Sequence, residues 1–240
     1  MNPSYPLERD LVDDLVAHLP DALHQAECRL LAREVTAGNR VVDVVLAESQ
    51  APLDALADPP RLCSALNGLN KSQLEILALI WRSRSTSLAR ICKETWTPEG
   101  RVLEDWIRPL LNRGMIEQSG QRTYAAPMLA AWRPTLVIGI EAKLRDWKGA
   151  LAQAVDNRSR CDWSFAAFPA DERLPMDMIR SRAAESGVGI MVVGGAPGCR
   201  ILLRPRLSPA SKHATRWLLG LDMLIGGLEA GNFESPLLHL

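Results

Sequence analysis

Nowhere does the sequence hold an apolar run approaching the roughly 20 residues needed to span a bilayer. Its first residues, MNPSYPLERD, also lack the basic flank and apolar core of a secretory leader. No membrane partner is therefore expected, and a cytoplasmic location is. The five cysteines, at 28, 63, 92, 161 and 199, are odd in number and include no C-x-x-C pair, which argues against a disulfide framework and a zinc cluster. They read as small core residues. His18, His24, His213 and His239 lie too far apart in sequence to show a ligand spacing. What the chain does have is apolar substance. Of its 240 residues, 47% are hydrophobic, enough for one sizeable core or two small ones, which excludes a disordered chain.

The formal net charge is zero, but the charge is unevenly spread. Residues 61–125 hold ten Lys or Arg against six Asp or Glu, a balance of +4, and the remainder holds eighteen against twenty-two, or −4. A basic module thus sits within an acidic host. In this module NKSQLEILALIWRS (70–83) repeats apolar residues at 74, 76, 77, 80 and 81, one face of a helix. STSLARICKETW (85–96) forms a second, with Leu88, Ile91 and Cys92 inward. A third is announced by Thr97 as N-cap, Pro98 at the first position and Glu99 at the positive end. Val102, Leu103, Trp106, Ile107, Leu110 and Leu111 continue it at helical spacing, and Gly114 is expected to end it. MIEQSGQRTYAA then holds two short strand-like runs about Ser119-Gly120, a hairpin signal.

Three helices and a hairpin resemble a winged helix-turn-helix domain, and LLNRGMIEQSG is similar to that family's passage from recognition helix into wing. The resemblance implies duplex DNA as partner. Arg101 and Arg108 would enter the major groove, and Arg122 in the wing would meet phosphate or the minor groove. Against this, Glu104 and Asp105 lie on or near the same face and would repel phosphate, and Pro109 should kink the helix. A protein-binding or purely structural module stays open.

The flanking sequence reads as an α/β host. LERDLVDDLVAHL (7–19) is an amphipathic helix; CRLLAREV and NRVVDVVLAE are strands joined by a hairpin-type turn at Thr36–Asn39. TLVIGIEA follows the module as a buried strand, then a helix over about 146–159, the strand WSFAAFP, and a helix over about 175–186. The strands VGIMVVGG and RILLRPRL and a last helix over about 209–229 complete it. Two strands carry acids where apolar residues are expected. Asp43 is enclosed by Val41, Val42, Val44 and Val45, and TLVIGIEA ends in Glu141 with Lys143 two residues on. Unpaired charge is costly to bury, so such a strand end is an ion pair, a metal site or the exposed lip of a sheet.

Asp43 followed by Glu141-Ala142-Lys143, in an order of helix, three strands, helix and strand, resembles the PD-(D/E)XK nuclease superfamily. Gln153, ten residues beyond the lysine, matches a glutamine many members carry; Val42 stands where the motif commonly has proline. The long separation of Asp43 from Glu141 follows if a winged helix is inserted between two neighbouring strands. A second acid-x-Lys, Asp146-Trp-Lys148, begins a helix and reads as a cap. The resemblance implies a restriction-endonuclease-like core with a mixed central sheet flanked by helices. That core would comprise residues 1–60 and 127–240, with the winged helix at 61–126.

The same resemblance implies Mg²⁺ or Mn²⁺ held by Asp43, Glu141 and the carbonyl of Ala142, with Lys143 stabilising charge or positioning water. Glu8 is a candidate extra ligand, with a solvated glutamate as its alternative, and Gln153 would orient water or phosphate. Arg145 and Lys148 are phosphate contacts or solvated charges. Trp217, Leu221, Leu224 and Leu228 form an apolar stripe for the core or for a homodimer, which would bring two sites to two DNA strands. The function implied is metal-dependent hydrolysis of DNA phosphodiesters. Two alternatives stay open: a non-catalytic DNA-binding regulator on a nuclease-like scaffold, and a protein-interaction subunit.

Overall fold

The computed structural model describes residues 5–23, 28–37, 40–49, 51–171, 173–195, 198–208, 214–230 and 237–239. In chain order its elements begin with α1 (Glu8–Ala22), β1 (Cys28–Ala37), β2 (Arg40–Ser49), α2 (Pro59–Asn67), α3 (Lys71–Ser83), β3 (Ser85–Ser87) and α4 (Leu88–Thr95). Next come α5 (Glu99–Arg101), α6 (Arg108–Asn112), β4 (Glu117–Gly120), β5 (Thr123–Ala125), β6 (Pro134–Ala142) and α7 (Trp147–Asn157). The last are β7 (Trp163–Pro169), α8 (Met176–Ser186), β8 (Gly189–Val193), β9 (Cys199–Leu203), α9 (Ala214–Ala230) and β10 (Leu237–His239). The chain divides into two compact units: residues 1–27, 31–48 and 136–216, and residues 28–30, 49–135 and 217–240. No helix among the described residues is long and apolar enough to cross a membrane.

The first unit is α/β, with a mixed sheet flanked by helices. Its strands run in the order β1-β2-β6-β7-β8-β9. β6, β7 and β8 are parallel, and β9 returns antiparallel. Parallel neighbours need crossovers, and α7 and α8 supply them. Ala150, Leu151 and Ala154 of α7 and Ile179 and Ala183 of α8 pack with Ala166, Phe168 and Ile190 on one face. α1 packs against β7, β8 and β9. β2 and β6 are neighbours in the sheet although residues 50–133 run between them in sequence.

Two local features set β6. Gly139 is required because a Cβ there would lie 2.8 Å from Cys161 Sγ, which closes the loop after α7 onto the strand. Asp162, 2% exposed, accepts from the Val137 amide at 2.8 Å and from Arg216 Nε and Nη2 at 2.8 and 2.6 Å. Asp162 thus ties the start of β6 to Arg216. Asp146 caps α7, accepting from the Gly149 amide at 2.9 Å, as its place at a helix start implies.

The second unit is built on Trp81, whose indole N–H donates to the Leu129 carbonyl at 2.9 Å. Trp132 stacks on it at 5.9 Å between centroids, and Trp217 meets it edge-on at 5.0 Å. Arg133 lies over Trp217 at 4.5 Å and donates to the carbonyls of Trp81 and Arg82. The stripe Trp217, Leu221, Leu224 and Leu228 is buried within the chain. A small sheet runs β3-β5-β4.

Several expectations shift here. Ser85–Ser87 form a strand rather than the first turn of a helix, because Ser87 is the N-cap of α4 and accepts from the Arg90 amide. The cap of α5 is Pro98, one place after Thr97, whose hydroxyl instead donates to the Thr95 carbonyl at 3.0 Å. The hairpin turns at Gln121-Arg122 rather than Ser119-Gly120, with Arg122 in the left-handed region at φ 57°. Gly114 ends α6 with φ 69°, as expected. Where Pro109 is expected to kink the helix, residues 102–107 form a π-helical turn, and the Asp105 carbonyl, which a proline cannot satisfy, accepts from Gln73 Nε2 at 3.3 Å. α2 and β10 carry no expectation from the sequence. Gly38 and Asn39 of the expected hairpin, the expected start of the last helix at 209–213, His24 and the side chain of His239 lie outside the described residues.

Asp162→Ala is expected to destabilise the first unit by about 3–5 kcal/mol, because it removes the carboxylate that offsets the charge of the buried Arg216 guanidinium. Urea unfolding measures this, and a loss below about 1 kcal/mol would exclude the role given to the pair.

Candidate active site

At the C-terminal end of β6 four of the expected residues meet. Residues paired across parallel strands share a face, so Glu141, opposite Ala166, projects toward α7. It is 1% exposed. The Lys143 amide continues the ladder to the Ala167 carbonyl at 3.1 Å. Lys143 Nζ donates to Asp43 Oδ2 at 3.3 Å and to Glu8 Oε2 at 3.2 Å. Asp43 Oδ2 also accepts from the Ala142 amide at 2.8 Å, which ties β2 to β6. Glu8 is exposed at the start of α1. Gln153 is half-buried on α7 and hydrogen-bonded to none of these residues.

The two oxygens of Glu141 differ. Oε1 accepts from Asn157 Nδ2 at 2.6 Å, whereas Oε2 is buried with no hydrogen-bond partner. A buried acceptor left so costs about 1–3 kcal/mol, more when charged. Burial first, and the Asp43 carboxylate second, push the Glu141 carboxyl up to about 7; Asn157 and Lys143 oppose this. For Lys143, burial works against the ammonium, but Asp43 and Glu8 outweigh it and raise its pKa. It is therefore a cation and a donor at neutral pH, not a base. Among the described residues no group of three or more His, Cys, Asp or Glu gathers as a ready metal cluster. The oxygens that could contribute to one are those of Asp43 and Glu141.

The three expected DNA-binding arginines all belong to the second unit, and each is ion-paired. Arg101 reaches Asp105 at 3.2 Å, Arg108 pairs with Glu104, and Arg122 pairs with Glu99. The first two pairs are one helical turn apart in sequence, so the acids expected to repel phosphate instead neutralise the arginines. Exposed pairs of this kind are worth about 0–1 kcal/mol each and yield readily to a phosphate. The Arg122 carbonyl accepts from the Leu88 amide at 2.8 Å, which holds the hairpin turn to the start of α4.

Two residues of interest are not marked out by sequence alone. Asn157 lies one helical turn after Gln153, a spacing that could have marked it. Trp96, 92% exposed at the turn after α4, carries no sequence signal that separates it from a core tryptophan. Comparison with protein-family models, with curated proteins and with solved structures returned no match.

A carboxyl whose folded pKa lies above its unfolded value stabilises the fold fully below the unfolded value, near 4.5, and loses that contribution as pH rises through about 7. Ionisation of Glu141 thus destabilises the metal-free protein. Glu141→Gln keeps the acceptor for Asn157 and is expected to exceed the wild type in stability at pH 8 by on the order of 3 kcal/mol, with little difference at pH 4. Thermal unfolding in EDTA at both values checks this; equal shifts at the two would show that Glu141 does not titrate between them.

Proposed function

We propose that the chain is a Mg²⁺- or Mn²⁺-dependent DNA nuclease, with a restriction-endonuclease-like PD-(D/E)XK core in the first unit and a winged helix in the second. What carries the proposal is the meeting of Asp43, Glu141 and Lys143 at the end of β6, with the acid-x-Lys pair on a sheet strand and Asp43 on its neighbour. In the second unit the order α3, β3, α4, α5, α6, β4, β5 and the sheet β3-β5-β4 support the winged helix.

The residues fit a hard divalent cation. Glu141 Oε2 is a buried carboxylate oxygen without a donor, and the Asp43 carboxylate is near enough to raise the Glu141 pKa. Asp43 and Glu141 would hold the ion, with the Ala142 carbonyl as a third oxygen and water in the remaining positions. When bound it would supply positive charge against the phosphate and activate water near neutral pH. Lys143, kept protonated by Asp43 and Glu8, donates to a phosphate oxygen as negative charge builds in the transition state. Glu8 steadies that ammonium from the exposed side. Gln153, free of the carboxylate group, has its amide available to orient water or phosphate.

Duplex DNA is the proposed partner of the second unit, with Arg101, Arg108 and Arg122 exchanging their carboxylates for phosphates or bases. Trp96, three residues after the exposed Lys93, adds an exposed aromatic surface. A homodimer that cuts both strands would need a surface other than the α9 stripe, which the chain itself covers.

Supercoiled, linear duplex and single-stranded DNA, each with Mg²⁺ or Mn²⁺ and with EDTA, test the activity. Lys143→Ala is expected to lower cleavage by about 10²–10³-fold or more with the fold intact. Cutting that survives EDTA or the substitution would contradict the assignment. Metal-independent binding without cutting would favour the regulator. For the second unit, Arg101→Ala with Arg108→Ala should weaken DNA binding across sequences. The slope of log K against log salt should fall by about 0.9 for each phosphate that the protein no longer neutralises. An unchanged slope would remove both arginines from the interface.

A further inference from the structure

Resting on the nuclease assignment, we propose that Asn157 is a positioning residue for the metal-ligating carboxylate. By occupying Glu141 Oε1 it leaves Oε2 as the oxygen that would be available to a divalent cation. The hydrogen bond is 2.6 Å, and both side chains are nearly excluded from solvent, Asn157 at 2% exposure and Glu141 at 1%.

The position of Asn157 is determined by its surroundings. It is the last residue of α7, and its own carbonyl accepts from the amides of Arg160 and Cys161 at 2.8 and 2.9 Å. Cys161 in turn packs its sulfur against Gly139 of β6, on the face from which Glu141 projects two residues later. One turn back along α7, the Ala154 carbonyl accepts from Ser164 Oγ of β7 at 2.7 Å. The end of α7 is therefore pinned to β6 and β7, and the Asn157 amide has little freedom to leave Glu141.

The chemistry suits an amide at this place. A lysine or arginine would neutralise Glu141 and compete with a cation for it. An aliphatic residue would leave both buried oxygens without a donor and the carboxylate free to rotate. Asparagine donates one hydrogen bond and adds no charge, so a single oxygen of Glu141 is left uncommitted and no counter-charge competes with a cation for it. Glu141 thereby differs from Asp43, whose Oδ2 is steadied by the Ala142 amide and Lys143.

The test is calorimetric titration of the full chain with Mn²⁺, alongside DNA cleavage kinetics, for the wild type, Asn157→Ala and Asn157→Leu. The alanine leaves space and the leucine fills it, so a packing defect and the loss of the donor can be separated. If Asn157 positions Glu141, both variants bind Mn²⁺ about 10–100-fold more weakly. In both, kcat falls while KM for DNA stays near the wild-type value. Variants that fold and bind Mn²⁺ within twofold of the wild type overturn the proposal and leave the nuclease assignment standing. Variants that are unfolded and not rescued by Mn²⁺ also overturn it, since Asn157 then serves the fold alone. A wild type that neither binds Mn²⁺ nor cuts DNA removes the assignment and this role together. A wild type that binds but does not cut still decides the role of Asn157 through the Mn²⁺ affinities.

Discussion

Burial of the Glu141 carboxylate at the end of a sheet strand is the constraint around which the first unit is arranged. Taking an ionised group out of water costs several kcal/mol unless hydrogen bonds or a counter-charge replace the lost hydration, so its neighbours are of particular kinds. Asn157 supplies a donor without charge, and Lys143 supplies charge shared with Asp43 and Glu8. Even so the compensation is incomplete: one oxygen keeps no partner, and the carboxyl is pushed up to about 7. Structural ion pairs usually have their carboxylate oxygens satisfied, as Asp162 does through Arg216 and the Val137 amide. An open carboxylate beside a second acid and a lysine is an arrangement suited to binding something positive and, through it, something negative.

The second unit shows the opposite economy. Its interior is assembled from tryptophans whose polar edge is satisfied by backbone, with Arg133 laid over Trp217 and anchored to two carbonyls. Its outer arginines are held in exposed pairs, two with acids one turn away and Arg122 of the hairpin with Glu99 at the start of α5. Such pairs cost little to exchange, and residues 61–125 keep a balance of +4 within a chain of zero net charge, which suits a proposed nucleic-acid partner.

Much of the architecture was legible because apolar period and capping chemistry are local. The run WSFAAFP coincides with β7, Asp146 caps α7, and Gly114 adopts the left-handed conformation that ends α6. Less legible were the features decided between competing local signals. Ser85–Ser87 could open a helix or pair as a strand, and Tyr124 opposite Thr86 settled it for the strand. The hairpin turned two residues later than Ser119-Gly120, where β4 and β5 come into register. In the candidate site, Asp43, Glu141 and Lys143 stood out because charge on an apolar strand is conspicuous. Asn157 did not, since an asparagine near a helix end is ordinary until its burial and its partner are known.

The sequence by itself determined most of the strands and helices, the basic module within an acidic host, and the placing of two acids and a lysine on or at the end of apolar strands. All of these are properties of neighbouring residues and their periodicity. Only the tertiary structure decided that β2 lies beside β6, that Glu8 and Asp43 share one ammonium, and that Asn157 holds one oxygen of Glu141 while the other stands alone. Those are contacts between residues up to 135 positions apart. They depend on how the sheet is ordered and how the end of α7 is pinned to it, which no local pattern encodes.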